Sequence, residues 1–424
     1  MRIAIIAPGS RGDVEPYVAL GKGLKAAGHA VHLVTHEDFE GLVTGHGLTF
    51  WPIAGQVRDI AQSPEMRAQL AGGKFLAIMS QMAREAQRGA VALAQAALAA
   101  CQGVELVLGG IGGLFTGAAV AEKLGLPLLQ AYYIPFTPTR VYPSFLLPGL
   151  PAWLGGGANS LSYRAARQVM WQGFRAADAR ARRDVLGLPA APFFGPFASP
   201  ATRGNPILYG FSPSVIPPAP DWDDSVHVTG YWFLEPAEEW NPPPALAAFL
   251  QSGPPPVYVG FGSMSSQDPE GTAELVLAAL DQAGQRGVIL SGWGGLQAAN
   301  LPSSVLMVDS VPFSWLFPRM VAVVHHGGAG TTAAGLRAGV PSVVVPFFGD
   351  QPFWGQRVAE LGVGPAPVRR QRLTVARLAQ AIAQAVNDPA MRQRAAVLGA
   401  KIRAEDGVSR AVAVVEELES RTVH

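Results

Sequence analysis

The run His325-His326-Gly327-Gly328-Ala329-Gly330-Thr331-Thr332 brings imidazoles, glycines and hydroxyls together in one short segment. It follows Val321-Ala322-Val323-Val324, which reads as a buried strand, and it leads into a helical pattern from Thr331. His325 to Gly330 is therefore a strand-to-helix turn at the carboxyl end of a sheet. Glycines there let the backbone close on an anion, and the helix start supplies unbonded N–H groups and a partial positive charge. His326 and the hydroxyls of Thr331 and Thr332 add donors at the same point. That chemistry suits a phosphate. The plainer alternative is a tight turn whose glycines serve packing, because a glycine loop alone is a weak signal. Paired histidines also raise the question of a metal, but no third His, Cys or carboxylate stands at ligand spacing, so no metal is expected.

A second phosphate candidate, Gly260-Phe261-Gly262-Ser263, follows the strand Val257–Val259. Two such loops on one sheet are a stronger signal than either alone. In the other half of the chain, Asp13 stands just after the first strand and a glycine-containing turn. A carboxylate there can take a proton from a reacting hydroxyl, or it can cap a helix, since Glu15-Pro16 follows. Local pattern alone leaves both roles open.

The elements that position these residues form two series of short β-branched runs alternating with helices, the pattern of parallel sheets with crossover helices. The first series has strands at Ile3–Ala7, Val31–Thr35, Leu106–Gly110 and Leu128–Tyr132, with helices such as Glu15–Ala27 and Phe75–Ala100. The second has strands at Val257–Phe261, Val288–Ser291, Val305–Val308, Val321–His325 and Ser342–Pro346, with helices at Thr331–Ala338 and Gln351–Leu361. Between them Ser212-Pro213 and Ile216-Pro217-Pro218-Ala219-Pro220-Asp221 read as a linker, which puts a boundary near residue 220. A second proline cluster, Asn241-Pro242-Pro243-Pro244, lies just beyond it. The fold class is α/β, two doubly wound Rossmann-like domains facing each other across a cleft, where ligands bind.

A chain of 424 residues exceeds one ordinary core, in keeping with two domains. With 49% apolar and 15% charged residues it is a well-buried protein, and a net charge of +1 gives no reason to expect nucleic acid. The single cysteine, Cys101, excludes a disulfide framework and suits a reducing cytoplasm. The opening MRIAIIAPGS reads as a first strand rather than a signal peptide. The longest apolar run, Ala90 to Cys101, is too short to span a bilayer, so any membrane contact would be peripheral.

His325 through Val340-Pro341 and on to Pro346-Phe347-Phe348-Gly349-Asp350-Gln351-Pro352-Phe353-Trp354 resembles the donor signature of glycosyltransferase family 1, the inverting nucleotide-sugar enzymes of GT-B fold. Gly9-Ser10-Arg11-Gly12-Asp13-Val14-Glu15-Pro16 resembles the branch of sterol glucosyltransferases and glycopeptide-antibiotic glycosyltransferases. Phe347 to Trp354, with Pro135-Phe136-Thr137-Pro138-Thr139-Arg140 and Tyr142-Pro143, is most similar to the sterol enzymes. The resemblance implies that residues 1–220 bind the acceptor and 221–400 the donor, with a helix in 401–424 crossing back to the first domain. It implies a donor site in which His326 meets the diphosphate, with Gly328, Ala329, Gly330 and Thr331 around it. Ser263, Ser10 and Gly12 join that side, Asp350 and Gln351 bind sugar hydroxyls, and Val311 holds the base through its backbone. It also implies Asp13 as the base for the acceptor hydroxyl, with no cofactor beyond the co-substrate.

Two departures bear on the nucleoside. In plant members a Glu eight residues after the phosphate histidine binds the ribose, and here that position is Ala334. The base-stacking Trp of those members is replaced by Ser310, leaving Trp293 as a stacking candidate. UDP-glucose is the first expectation for the donor, and a TDP-sugar is the alternative.

The candidate acceptor wall is Phe75, Met79, Met82, Tyr132, Tyr133, Phe136, Tyr142 and Phe145, suited to a flat apolar molecule. Each of these residues singly is more often core than pocket. A sterol or triterpenoid hydroxyl is the first expectation, and a phenolic, macrolide or other polyketide the second. Arg164 to Arg183, with Arg167, Arg175, Arg180 and Arg182, reads as a solvated helix face, with weak peripheral membrane contact as the alternative. Two further classes compete with the enzyme reading. A dinucleotide oxidoreductase is disfavoured because Gly9-Ser10-Arg11-Gly12 lacks the full glycine fingerprint. A non-catalytic nucleotide-sugar or lipid binder would have no need of Asp13, His326 and Asp350-Gln351 together.

Overall fold

A computed structural model of the chain describes residues 1–55, 75–197, 202, 204–235, 240–262, 268–291 and 301–422. It divides into two compact units. The first takes in the described residues of Met1–Ile60, Met79–Ala237 and Glu405–His424, and the second those of Ala61–Ile78 and Glu238–Ala404.

The first unit holds a seven-stranded sheet of β1 (Arg2–Ile6), β2 (Ala30–His36), β3 (Thr49–Ile53), β4 (Leu106–Gly109), β5 (Leu128–Tyr132), β6 (Ile207–Tyr209) and β7 (Val226–Val228). The strands run parallel in the order β3-β2-β1-β4-β5-β6-β7. Its helices are α1 (Arg11–Ala26), α2 (Glu40–Gly45), α3 (Phe75–Ala100), α4 (Leu114–Leu124) and α5 (Gly155–Ala181). Ile3, Ile5, Ala4 and Ile6 are all fully buried, so β1 is covered on both faces, as a central parallel strand must be.

The second unit has five parallel strands, β8 (Val257–Gly260), β9 (Gly287–Leu290), β10 (Val305–Val308), β11 (Ala322–His325) and β12 (Ser342–Val344), in the order β10-β9-β8-β11-β12. Its helices are α6 (Pro244–Gln251), α7 (Pro269–Gln282), α8 (Phe313–Leu316), α9 (Ala329–Ala338), α10 (Gln351–Glu360), α11 (Val375–Asn387) and α12 (Pro389–Arg403). Alternate residues of β8 face opposite ways. Val257 and Val259 join Val276, Leu378 and Ile382 of α7 and α11, while Tyr258 joins Leu246, Leu316 and Phe317 on the other side. The sheet is therefore doubly wound for a reason visible residue by residue. Asp268-Pro269 and Asp388-Pro389 start α7 and α12 alike. Each Asp side chain accepts a backbone N–H of the first turn, from Gly271 and Met391, and the proline follows where no N–H is needed.

The proline-rich stretch at 212–221 is not the boundary expected of it. β7 lies beyond it and pairs with β6, so it is a loop inside the first unit. Its Val215, Ile216 and Ala219 are buried, Trp222 stacks on Tyr209, and Asp221 accepts from Thr139 Oγ1 and the Arg140 N–H. Apolar residues between the prolines made it a packed loop. The last helix, α13 (Gly407–Thr422), lies on α1, where a methyl group on Gly23 would come within 2.3 Å of Val408 Cγ1. Glu405, ahead of it, accepts from the Ser212 and Ser214 hydroxyls at 2.7 and 3.1 Å.

Candidate functional site

In the second unit the strand order reverses at β8 and β11, and register places His325 opposite Gly260. The loops leaving these two strands are the two phosphate candidates, and they start level with each other. Ligands of open parallel sheets bind where the order reverses.

The imidazole of His326 lies between the two loops. A methyl group on Gly262 would stand 3.1 Å from its Cε1, and one on Gly328 would stand 2.5 Å from its Nε2. Both positions must therefore lack a side chain, and Gly262 has a left-handed φ of +63° besides. His326 is half-buried, and desolvation lowers its pKa to about 4. It stays neutral near pH 7 and can donate one N–H. Its Nδ1 is buried with no hydrogen-bond partner among the described residues. Nε2 stands beside Gly328, the residue that caps α9.

His325 does different work. Fully buried, with its pKa pushed down to about 3 by burial and by His326, it accepts the Gly327 N–H on Nδ1 at 3.0 Å. Gly327 has φ +90°, and a side chain there would meet Val344 and Gln351. His325 thus shapes the turn, and His326 is the imidazole presented at it. Thr332 is buried and Thr331 half-exposed at the start of α9, so Thr331 is the hydroxyl placed for a ligand, beside Ala329 and the exposed Gly330.

After β12 the segment Phe347–Gln351 folds around its own side chains. Gln351 Oε1 accepts the N–H groups of Phe347 and Phe348 at 2.8 and 3.2 Å. Asp350 Oδ2 accepts Trp354 Nε1–H at 2.8 Å. Both side chains thus shape this loop. Val311 is buried in the cluster with Tyr258 and Phe317, against which Ala334 packs. Position 334 is thus apolar packing here. Ser310 is exposed and lines a cavity of about 360 Å³ with Leu246, Met307 and Asp309. Ser263, Trp293 and the Phe75 side chain lie outside the described residues.

In the first unit Asp13 stands at the third position of α1, with Ser10 as the N-cap. Its Oδ2 accepts the Ser10 N–H at 2.7 Å and the Ser10 hydroxyl at 2.8 Å, and its Oδ1 accepts the Tyr133 hydroxyl. The carboxylate borders a crevice lined by Ile6, Pro8, Gly110, Gly113 and Tyr133, at the carboxyl ends of β1, β4 and β5. This is the switch point of the first sheet. Ser10, expected on the donor side, is committed to Asp13, and Gly12 is exposed in the first turn of α1. Asp13 is thus part of a cap and also a carboxylate fixed at a crevice. Ser10-x-x-Asp13 has the spacing of a capping box, a signal that the sequence carried.

The expected acceptor wall divides. Tyr132, Phe136 and Phe145 are buried and pack on one another, with ring centroids 5.3 and 6.3 Å apart along the chain of contacts. They form core and expose no face to a ligand. Tyr142 is half-buried against Tyr163 and Trp222. Met79 and Met82 are half-buried on α3, and Tyr133 is half-buried at the crevice. The basic helix divides too. Arg167 donates to the Phe136 carbonyl between two phenyl rings, and Arg182 is buried against Asp178 and Glu122. Among the described residues no group of three or more His, Cys, Asp or Glu is placed to hold a metal, and no helix is long and apolar enough to cross a membrane.

Residues 280–418 match the family model described as Erythromycin biosynthesis protein CIII-like, C-terminal domain. Residues 3–143 match the Glycosyltransferase family 28 N-terminal domain, where the sequence motifs resemble family 1. The chain is 37% identical over 446 residues to a sterol 3-beta-glucosyltransferase of Cryptococcus neoformans var. neoformans serotype D, covering 99% of this chain and 27% of that protein. It therefore spans less than a third of that relative. The solved structure of CalG4, the calicheamicin glycosyltransferase, superposes with a TM-score of 0.68 at 20% identity, covering 100% of this chain and 99% of that one. Glycosyltransferase VinC in complex with dTDP gives 0.65 at 19%, covering 99% and 100%. The chain belongs to the glycosyltransferases of GT-B fold. It is related both to sterol glucosyltransferases and to natural-product glycosyltransferases. The two Rossmann-like units are those of that fold, and in GT-B terms the His326 turn lies in the C-terminal unit and Asp13 in the N-terminal one.

Proposed function

We propose that this chain transfers a sugar from a nucleoside-diphosphate donor to a hydroxyl of an apolar natural product of the polyketide, macrolide or phenolic class. The observation that carries the donor half is the convergence of two strand-end loops on a neutral His326 at a helix N-terminus. A diphosphate there would meet an imidazole N–H, the Thr331 hydroxyl and the first N–H groups of α9. Asp350 and Gln351 would meet the sugar hydroxyls, and Ser310 and Val311 the base.

In the reaction Asp13 takes the acceptor proton as the hydroxyl oxygen bonds to the anomeric carbon, and the bond from that carbon to the diphosphate breaks. Attack opposite the leaving group inverts the anomeric centre. The charge developing on the diphosphate is stabilised by the donors at the start of α9. These roles use only side chains and backbone, with no cofactor beyond the donor.

The erythromycin-type match of the C-terminal unit and the likeness to CalG4 and VinC favour the natural-product acceptor, and the dTDP bound to VinC favours a TDP-sugar alongside UDP-glucose. A sterol or triterpenoid acceptor is the second reading, favoured by the 37% identity to a sterol glucosyltransferase. Exposed Trp153, Leu161, Phe193 and Phe194, near the exposed Arg164 and Arg175, support peripheral contact with a lipid surface, which a vesicle flotation assay tests. The central test is a matrix of UDP- and TDP-sugars against polyketide, phenolic and sterol acceptors, read by mass shift. Product confined to sterols would reverse the order of the two readings. No product in any cell, with nucleotide-sugar binding intact, would leave a binder.

A further inference from the structure

The donors around Asp13 fall unevenly on its two oxygens. Oδ2 takes the N–H and the hydroxyl of Ser10, both from the start of its own helix. Among the described residues Oδ1 takes only the hydroxyl of Tyr133, which is 120 residues away in sequence at the end of β5. A carboxylate offers about four lone-pair sites, two on each oxygen. Oδ2 is therefore filled, and Oδ1 keeps one site, whose direction is set by where Tyr133 holds the oxygen.

Tyr133 is itself held. Its ring meets Tyr17 edge-on, with centroids 6.4 Å apart at 64°. Tyr17 is buried, donates to the Ala131 carbonyl at 2.6 Å and packs on Trp232 at 6.1 Å. A methyl group on Gly110 would fall 1.5 Å from the Tyr17 hydroxyl, so glycine at 110 is what admits this tyrosine. β5 fixes the backbone of Ala131 and leads directly into Tyr133. The order of contacts thus runs from the centre of the sheet outward, through Tyr17 to Tyr133 and then to Oδ1.

From this arrangement we infer that Tyr133 is the positioning residue for the base. Its hydroxyl pins Oδ1 and aims the remaining lone pair into the crevice. The inference rests on the reading of Asp13 as the base. Tyr133 then sets the direction in which the acceptor proton is received.

The test is Tyr133→Phe, which deletes one oxygen and keeps the half-buried ring, studied with Asp13→Asn in the full chain. Folding is checked by thermal melting, and nucleotide affinity by calorimetry. Tyr133→Phe is expected to lower kcat about tenfold or more, the loss of one hydrogen bond to a charged group, with the KM for the donor unchanged. A Tyr133→Phe enzyme with the parent kcat, or with kcat and the donor KM changed together, would overturn the inference, leaving the tyrosine as packing. Asp13→Asn separates the two failures. If it is inactive while Tyr133→Phe is normal, only the positioning role falls. If it turns over normally, Asp13 is not the base.

Discussion

Gly328→Ala isolates the part played by the His326 ring. The backbone at Gly328 has φ −60° and ψ 145°, which alanine adopts freely, so the substitution carries no backbone strain. Its methyl group, however, would stand 2.5 Å from His326 Nε2, and ordinary contact begins near 3.4 Å. The imidazole must retreat by about 0.9 Å, and the Gly262 loop on its other side leaves little room to do so. A displacement of that size takes a hydrogen bond to a phosphate oxygen out of range. A lost bond to a charged group is worth about 1.5–3 kcal/mol, or roughly 10- to 150-fold in Kd. The cost to stability should be under about 1 kcal/mol, since glycine and alanine differ modestly at an N-cap. The assay is a double-mutant cycle with His326→Ala, read by calorimetric titration of UDP and TDP. Once the ring is gone the methyl group has nothing to strike, so Gly328→Ala should add little in that background, leaving a coupling of about 1 kcal/mol or more. Equal losses in both backgrounds, or normal binding by the single variant, would refute the argument that the glycine serves the histidine.

Asp13→Asn should retain nucleotide binding and lose turnover by two orders of magnitude or more, about the contribution of a positioned general base, as measured with any productive donor–acceptor pair. Gly9→Ala should lose turnover too. Gly9 has φ +139°, and a methyl group there would come within 2.6 Å of Asp13 Oδ2, so the carboxylate must leave its place. A Gly9→Ala enzyme with normal kcat would show that this place is not needed. His325 predicts an acid sensitivity. Its folded pKa of about 3 lies below the ordinary 6.5, so the unfolded chain binds the proton more readily. That stability is complete above 6.5 and is lost as pH falls toward 3, amounting to about 3 kcal/mol by pH 4.5. His325→Asn keeps an acceptor for the Gly327 N–H without the titration. Calorimetric melting should therefore show a smaller drop between pH 7 and 4.5 than in the parent, and an equal drop would place the sensitivity elsewhere.

What was legible in the sequence follows from how far apart the parts of each site lie. The His326 turn is one strand, three residues and one helix, and its chemistry is local. A β-branched run, glycines and hydroxyls in that order specify a strand-to-helix turn, and the structure puts it at the switch point. Even there, the role of Gly262 was hidden, because it meets His326 only through the pairing of β8 with β11. The first unit is assembled from more distant pieces. Ser10-x-x-Asp13 is local and readable as a cap, but the Tyr133 contact depends on β1, β4 and β5 lying side by side, an order that no spacing in one sequence encodes. The same limit explains the acceptor wall. Aromatic residues at 132, 136 and 145 look alike in composition whether they line a pocket or fill a core, and here all three are buried. It also explains the proline-rich loop, whose buried Val215, Ile216 and Ala219 tie it to a strand that follows it. Donor chemistry is thus written in contiguous residues, and acceptor chemistry in the packing of separated ones. Relatives can therefore share the first while differing in the second, which is why a chain with one donor turn stands between sterol and natural-product enzymes, and why the acceptor matrix is the experiment that divides them.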